Sequence, residues 1–568
     1  MSTPRPAPGR QRLTTWLLGV VALVLTLPAT VVLADQDSGL ERGSALVARD
    51  LDPGFLPADL PDAEVPVTTL VDDASTQHPV VVVVHGFAGS AQLMDDLGVS
   101  LARAGYAVVL PDLTGHGRNP LPLPVTDGVV STGSIDADVA AVASWASSQP
   151  WADPARPIAL VGHSMGAGAV VRYAVRSAET GGSEVPIGAT VALSLPSADA
   201  LPRGSAEVPR NLLLLYGGNE QQRFAEAALS GLRAAYPEGA VGPGYGSPVD
   251  GTARAADVVP RADHVTILFS ADMRQQALDW LDSTVGAPSS GHDAGGSRVL
   301  WLLVLMVGAA VGFVPIARLA LPERTPGEGG PAETPRPRAM VAVAITIMAS
   351  ALASLAAAAL SGLAARVPLA VGGYVIVWFV CAAAVVAVLT TLVRRRGSWL
   401  VGSPEHVSAS NWQSDSVSPD GVAAPTDGVL REVLAVMALT AYGVVALGLV
   451  GKVTWSAFEL AGDRRSWLLV VELAFIAWFW ADDRLVGARW WLALSTRAVA
   501  VVVLLASVVL LGAPGFLRLL VPLMAVVLGL LLLYGQTVTR RARLPWSAAV
   551  VQGVPLAYLV VTTFPLVS

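Results

Sequence analysis

From residue 299 onward, apolar runs of about 16–25 residues succeed one another, separated by polar loops. About 20 such residues cross a hydrocarbon core about 30 Å thick. Inside a bilayer each backbone polar group must be satisfied within the chain, so runs of this kind fold as helices. They fall at about 299–318, 340–363, 368–393, 432–451, 466–481, 490–511, 516–535 and 546–566. A ninth, Leu13–Ala34, follows Arg5, Arg10 and Arg12. It exceeds the core of a signal peptide, so we read residues 1–34 as an uncleaved anchor, although Val32-Leu33-Ala34 ends in a small residue as a cleavage site does.

Charge divides the chain the same way. Residues 35–297 hold 14 arginines and no lysine against 31 acidic residues, a balance of −17 within a total of −7. The remainder is net basic, and its arginines gather in alternate loops: Arg324, Arg336 and Arg338; Arg394–Arg396; Arg484 and Arg489; Arg540, Arg541 and Arg543. With the amino terminus inside, these loops are cytoplasmic, nine spans result, and residues 35–297 lie outside a cell membrane. Scattered arginines of this kind describe topology and exclude a nucleic-acid face. Cys381 is the only cysteine and lies in an apolar run, so no intramolecular disulfide forms, and no Cys/His cluster has metal spacing. Gly286–Ser297 is a flexible linker. The Ser/Pro/Asp/Gly-rich stretch 397–430 reads as a cytoplasmic linker without a core of its own.

The acidic part has another rhythm. Short apolar runs at Val80–Val84, Tyr106–Leu110, Pro157–Val161, Thr190–Leu195, Asn211–Tyr216 and Ala255–Val259 alternate with helix-forming segments. That predicts βαβ units and a parallel sheet covered on both faces, whose functional groups collect at the carboxyl ends of the strands. There lie His85-Gly86-Phe87-Ala88-Gly89-Ser90, then Pro111-Asp112-Leu113-Thr114-Gly115-His116-Gly117, then Gly162-His163-Ser164-Met165-Gly166. Glu220 follows the fifth run and His264 the last. A Gly-x-Ser-x-Gly between strand and helix is a tight turn that lifts a serine oxygen above the sheet. The chain order is oxyanion loop, nucleophile, acid, histidine.

With these motifs in that order, residues 65–285 resemble the α/β-hydrolase superfamily, and HGFAGS, PDLTGHG and GHSMG are similar to segments of its lipase, esterase and dienelactone-hydrolase-like members. The resemblance implies a doubly wound, mostly parallel sheet. It implies that Ser164 attacks an acyl carbon, His264 takes its proton and Glu220 orients the imidazole, with Asp199 after the fourth run as the alternative acid. The backbone N–H groups of Phe87 and Met165 would hold the oxyanion. His163 reads as packing, His85 and His116 as loop organisers, and Asp112 and Asp263 as structural. Only Val65–Val71 marks the antiparallel strands expected before the first run, and Pro196–Arg210 is too short for a large lid.

The expected architecture is therefore an anchor (1–34), an extracytoplasmic α/β-hydrolase domain (35–285), a linker (286–298) and an all-α membrane bundle of about eight spans (299–568). The expected activity is hydrolysis of an ester, thioester or lipid acyl bond through an acyl-enzyme, with no cofactor or metal. A small-molecule or lipid substrate and the membrane are the expected partners, and nucleic acid is not. An acyltransferase using the same triad, or a non-catalytic sensing ectodomain on a transporter-like base, are the alternatives. Of the charges Glu472, Arg497, Glu432 and Glu459, most lie near span ends and read as snorkelling or interfacial residues, with Arg497 inside a span, and Trp478, Trp480, Trp490 and Trp491 read as an interfacial belt.

Overall fold

The computed structural model describes residues 8–36, 38–49, 63–126, 129–179, 185–286, 298–321, 337–396, 426–454, 458–513 and 517–568. All but the first residue of the expected linker 286–297, and residues 397–425 of the cytoplasmic linker, lie outside them. The chain forms two compact units that are not continuous in sequence. One comprises residues 29–303, 450–464 and 562–568, the other residues 1–28, 304–449 and 465–561.

The first unit is built on β1 (Glu41–Ala48), β2 (Glu64–Val71), β3 (Val80–Val84), β4 (Ala107–Pro111), a two-residue-per-strand hairpin of β5 (Val125–Thr126) and β6 (Val129–Val130), β7 (Ile158–His163), β8 (Ile187–Leu193), β9 (Leu212–Gly217) and β10 (Arg254–Val259). Eight of these make one sheet in the order β1-β2-β4-β3-β7-β8-β9-β10. Neighbours run parallel from β4 to β10; β2 is antiparallel to both β1 and β4. Strand β3 is five consecutive valines, all buried. Successive side chains leave a strand on opposite faces, and here Val81 and Val83 enter one core while Val80, Val82 and Val84 enter the other. An apolar run without alternation thus records a sheet covered on both sides. Residues of α2 (Asp95–Arg103) and α6 (Ala271–Thr284) fill the first core; those of α3 (Gly133–Ser147) and α4 (Met165–Glu179) fill the second. Helix α5 (Gln222–Ala235) covers β9 and β10 through Ala228 and Leu232.

Strand β1 is a correction to the sequence reading, which found only β2 before the first parallel strand. It is an edge strand, paired from Glu41↔Val71 to Ala48↔Glu64. Most of it is exposed, with only Val47 buried. Such a strand carries no hydrophobic period to read.

In the second unit the helices are most of α1 (Pro8–Gln36), then α7 (Arg298–Ala320), α8 (Ala339–Ala359), the single turn α9 (Ser361–Ala364), α10 (Gly372–Arg395), α11 (Thr426–Thr454), α12 (Arg464–Val486), α13 (Trp490–Leu510), α14 (Leu517–Thr539) and α15 (Ser547–Thr563). Among the described residues, six helices are long and apolar enough to cross a membrane: α1, α7, α8, α10, α11 and α13. Helix α12 contains Glu472, Asp482, Asp483 and Arg484, and α15 has 17 residues.

Two readings of single residues change here. Arg497, read within a span, is paired rather than snorkelling. It is buried, its Nε donates to Asp482 at 3.1 Å and its Nη2 to Gln552 at 2.8 Å. Trp478 is buried against Phe379 rather than set in a belt, whereas Trp490 and Trp491 are exposed.

Candidate active site

Ser164 is the single residue between the end of β7 and the start of α4. Its φ of 53° lies in the left-handed region, which costs an L-residue about 1–2 kcal/mol. The glycines on either side make so sharp a turn sterically feasible. A Cβ on Gly162 would lie 2.4 Å from the Gly166 carbonyl oxygen, and one on Gly166 would lie 2.5 Å from the carbonyl oxygens of Val84 and His85. Close passage of strand and helix, not flexibility, accounts for both glycines. The Ser164 N–H donates to the Leu193 carbonyl at 2.8 Å, tying the turn to β8.

Two loops meet this serine. The one after β10 carries His264, whose Nε2 lies 3.0 Å from Ser164 Oγ. The one after β9 carries Glu220, whose Oε1 lies 2.6 Å from His264 Nδ1. Glu220 is itself fixed, since its Oε2 accepts the Gly217 N–H at 2.7 Å. Its side chain is 1% exposed and that of His264 is 14% exposed. With a carboxylate at Nδ1, that nitrogen carries the proton, so Nε2 is the acceptor for the serine hydroxyl.

The structure thus brings Ser164, His264 and Glu220 together. It leaves Asp199 exposed in the β8–β9 connection, with its own N–H on Ser197 Oγ at 3.2 Å. Met165 is the first residue of α4, where backbone N–H groups lack intrahelical partners. Gly86, just before Phe87, passes so near the turn that a Cβ there would lie 3.1 Å from Ser164 Cβ. Met165 therefore adjoins the serine directly, and Phe87 follows the glycine that passes beside it.

The remaining polar residues brace these loops. His163 Nε2 donates to the His264 carbonyl at 2.9 Å, and its ring centroid lies 4.9 Å from that of His264. His85 donates from Nδ1 to Gly86 O at 2.8 Å and accepts the Leu113 N–H at Nε2. His116 stands with its ring 5.1 Å from His85 and 5.6 Å, edge-on, from Phe87. Asp112 accepts the Ala91 N–H at 2.8 Å and Arg118 Nε at 2.6 Å. Asp263 accepts the N–H groups of Val265 and Thr266, both at 2.9 Å. One contributor escaped the sequence reading: Phe224, on the first turn of α5, stacks on the His264 ring at 4.6 Å and 26°. Its signal was positional only, four residues after Glu220.

Burial keeps three of these imidazoles neutral. It pushes His85 down and His116 well down; burial, aided by the nearby His264, brings His163 to about 3. In the unfolded chain each takes up a proton as pH falls through about 6.5. The unfolded state then binds more protons than the folded one, so stability falls as pH drops below about 6.5. We expect His163 alone to cost about 1 kcal/mol per pH unit below that point, with His85 and His116 acting in the same direction. Thermal unfolding of the protein between pH 7.5 and 5 checks this, and a midpoint unmoved by acid contradicts it.

Residues 75–214 match the family model described as serine aminopeptidase, S33. Two uncharacterized proteins of Mycobacterium tuberculosis, from strains CDC 1551 and H37Rv, are 39% identical to the chain over 98 residues, 17% of this chain. The match spans about a third of those relatives' own length, 32%. Among solved structures, a dienelactone hydrolase from Anabaena variabilis is 17% identical, with 43% of this chain and 99% of that one covered at a TM-score of 0.30. An esterase from Pyrococcus furiosus is 16% identical over 44% of this chain and 96% of its own, at a TM-score of 0.31. Sheet order, strand–turn–helix geometry and the family match agree: the chain carries a domain of the α/β-hydrolase fold, followed by a helical region with candidate membrane-spanning helices.

Proposed function

We propose that this protein is a membrane-bound serine hydrolase that cleaves an ester, thioester or lipid acyl bond through Ser164, His264 and Glu220. The observation that carries the reading is the pair of contacts that links the three, 3.0 Å from Ser164 Oγ to His264 Nε2 and 2.6 Å from His264 Nδ1 to Glu220. Ser164 Oγ bonds to the acyl carbon while its proton passes to His264 Nε2. The N–H groups of Phe87 and Met165 hold the negative oxygen of the tetrahedral intermediate. Collapse expels the alcohol or thiol with the proton from His264 and leaves an ester on Ser164. Water, deprotonated by the same imidazole, then attacks the acyl carbon, and the bond to Ser164 Oγ breaks as His264 returns the proton to that oxygen and the acid departs.

Chain parity supports action outside a cell membrane. Four helices of spanning length (α7, α8, α10 and α11) separate residue 303 from 450, and in the nine-span reading of the sequence the apolar runs within α12–α15 add four more crossings between 464 and 562. An even number of crossings returns a chain to the side it left. Residues 29–303, 450–464 and 562–568, which belong to one compact unit, then share one side. The arginine-rich loops occupy the other, as the positive-inside rule requires of a cytoplasmic face.

The test is a membrane-impermeant fluorophosphonate applied to intact spheroplasts. We expect covalent label on the peptide holding Ser164; absence of label on folded protein contradicts the reading, and label only after lysis contradicts its orientation. Product analysis with an added alcohol separates hydrolysis from acyl transfer, and an aminoacyl amide substrate tests the activity that the matched family's name describes.

A further inference from the structure

The loop from Asp112 to Leu123 forms the wall of the site that holds His116 against Phe87. Its first half is anchored from within the hydrolase sequence, through Asp112 on Ala91 and Thr114 on Asp138. The second half is anchored from far away. Arg464 is fully buried, and its Nη2 donates to the Gly115 carbonyl at 2.8 Å. Longer contacts run to Asn119 O and Ala461 O at 3.5 Å and to Phe564 O at 3.4 Å. The Leu566 N–H donates to the same Gly115 carbonyl at 2.7 Å, the Leu123 N–H donates to Leu566 O at 2.8 Å, and the Ser568 N–H donates to Leu123 O at 3.1 Å. Gly462, at φ +58°, passes so close that a Cβ would lie 2.4 Å from Pro120 O.

Burying a guanidinium costs several kcal/mol, and among the described residues this one forms no ion pair. Four carbonyl oxygens are what it is spent on, two of them in the site loop. We propose that Arg464, with the strand-like segment 564–568, positions the oxyanion side of the hydrolase site. Clamping Gly115 fixes His116, whose ring abuts Phe87, and Gly86, the residue before Phe87, passes close to Ser164. Arg464 opens α12 and residue 564 follows α15, so in chain order the clamp is supplied by segments that flank the last four helices. The segments on either side of those helices therefore help to position the site. The inference rests on the reading of the Phe87 N–H as an oxyanion donor.

Full-length protein in detergent tests it, with Arg464→Met, Arg464→Lys and, as an exposed neighbour, Arg465→Ala. Because a misplacement of about 1 Å can cost about 100-fold, Arg464→Met should lower kcat on p-nitrophenyl butyrate by roughly 10- to 100-fold. KM should stay within about twofold, since ground-state binding is untouched. The inhibition constant of a trifluoromethyl ketone, a tetrahedral mimic, should rise by the same factor as kcat falls. End-point fluorophosphonate stoichiometry should match wild type, Arg464→Lys should restore part of kcat, and Arg465→Ala should match wild type. The proposal is overturned if Arg464→Met keeps kcat within about twofold, if the inhibition constant does not follow kcat, or if both Arg464 variants lose end-point label, which marks a purely structural residue. A wild type that takes no label overturns the hydrolase reading and the inference with it.

Discussion

Replacing Ser164 by alanine is expected to lower turnover of an ester by about 10⁴- to 10⁶-fold without unfolding the protein. Alanine tolerates the left-handed turn no worse than serine does, and the Ser164 N–H on Leu193 O survives the change. What disappears is the oxygen placed 3.0 Å from His264 Nε2 as the acyl acceptor. Groups that work as one unit are not additive, so His264→Ala should cost about as much, and the double variant little more than either. Steady-state kcat on p-nitrophenyl butyrate, together with fluorophosphonate label, measures this. A Ser164→Ala protein that keeps more than about a tenth of wild-type turnover contradicts nucleophilic catalysis by this residue.

How much of this was legible in the sequence depends on how local the cause was. Strand β3 and its parallel neighbours were legible because each needs a continuous apolar run, and Ser164 because a turn of that shape needs glycine on both sides. His264 followed from chain order. The edge strand β1 was not legible, since one exposed face and a single buried valine leave no period. In the sequence Glu220 reads as the acid with Asp199 as its alternative, each lying beyond the end of a strand, and the path of the backbone is what separates them. Phe224 and Arg464 are harder cases. A ring that stacks on an imidazole is indistinguishable in sequence from one that packs a core, and Arg464 meets Gly115 across 349 residues. The same holds for Arg497, whose partners Asp482 and Gln552 lie on other helices. Long-range polar pairing is invisible to any reading of spacing.

The carboxylate at the far end of the triad has the second largest expected effect. Glu220 accepts on both oxygens, one from His264 Nδ1–H and one from the Gly217 N–H, in a position 1% exposed. Glutamine there has one acceptor and one donor. If its oxygen stays on Gly217, its NH₂ faces His264 Nδ1, and the imidazole must move its proton to Nε2, where it can no longer accept from Ser164. If the oxygen turns to His264 instead, the NH₂ opposes the Gly217 N–H, and two buried donors face each other at a cost of about 1–3 kcal/mol. Both arrangements disfavour the productive tautomer. Glu220→Gln should therefore lower kcat by about 10⁴-fold with KM little changed. Asp199→Asn, exposed and away from the ring, should stay within about twofold of wild type, as surface changes usually do. The two variants assayed side by side decide which acid serves the histidine, because a proton on the wrong imidazole nitrogen disables a base whose position has not changed.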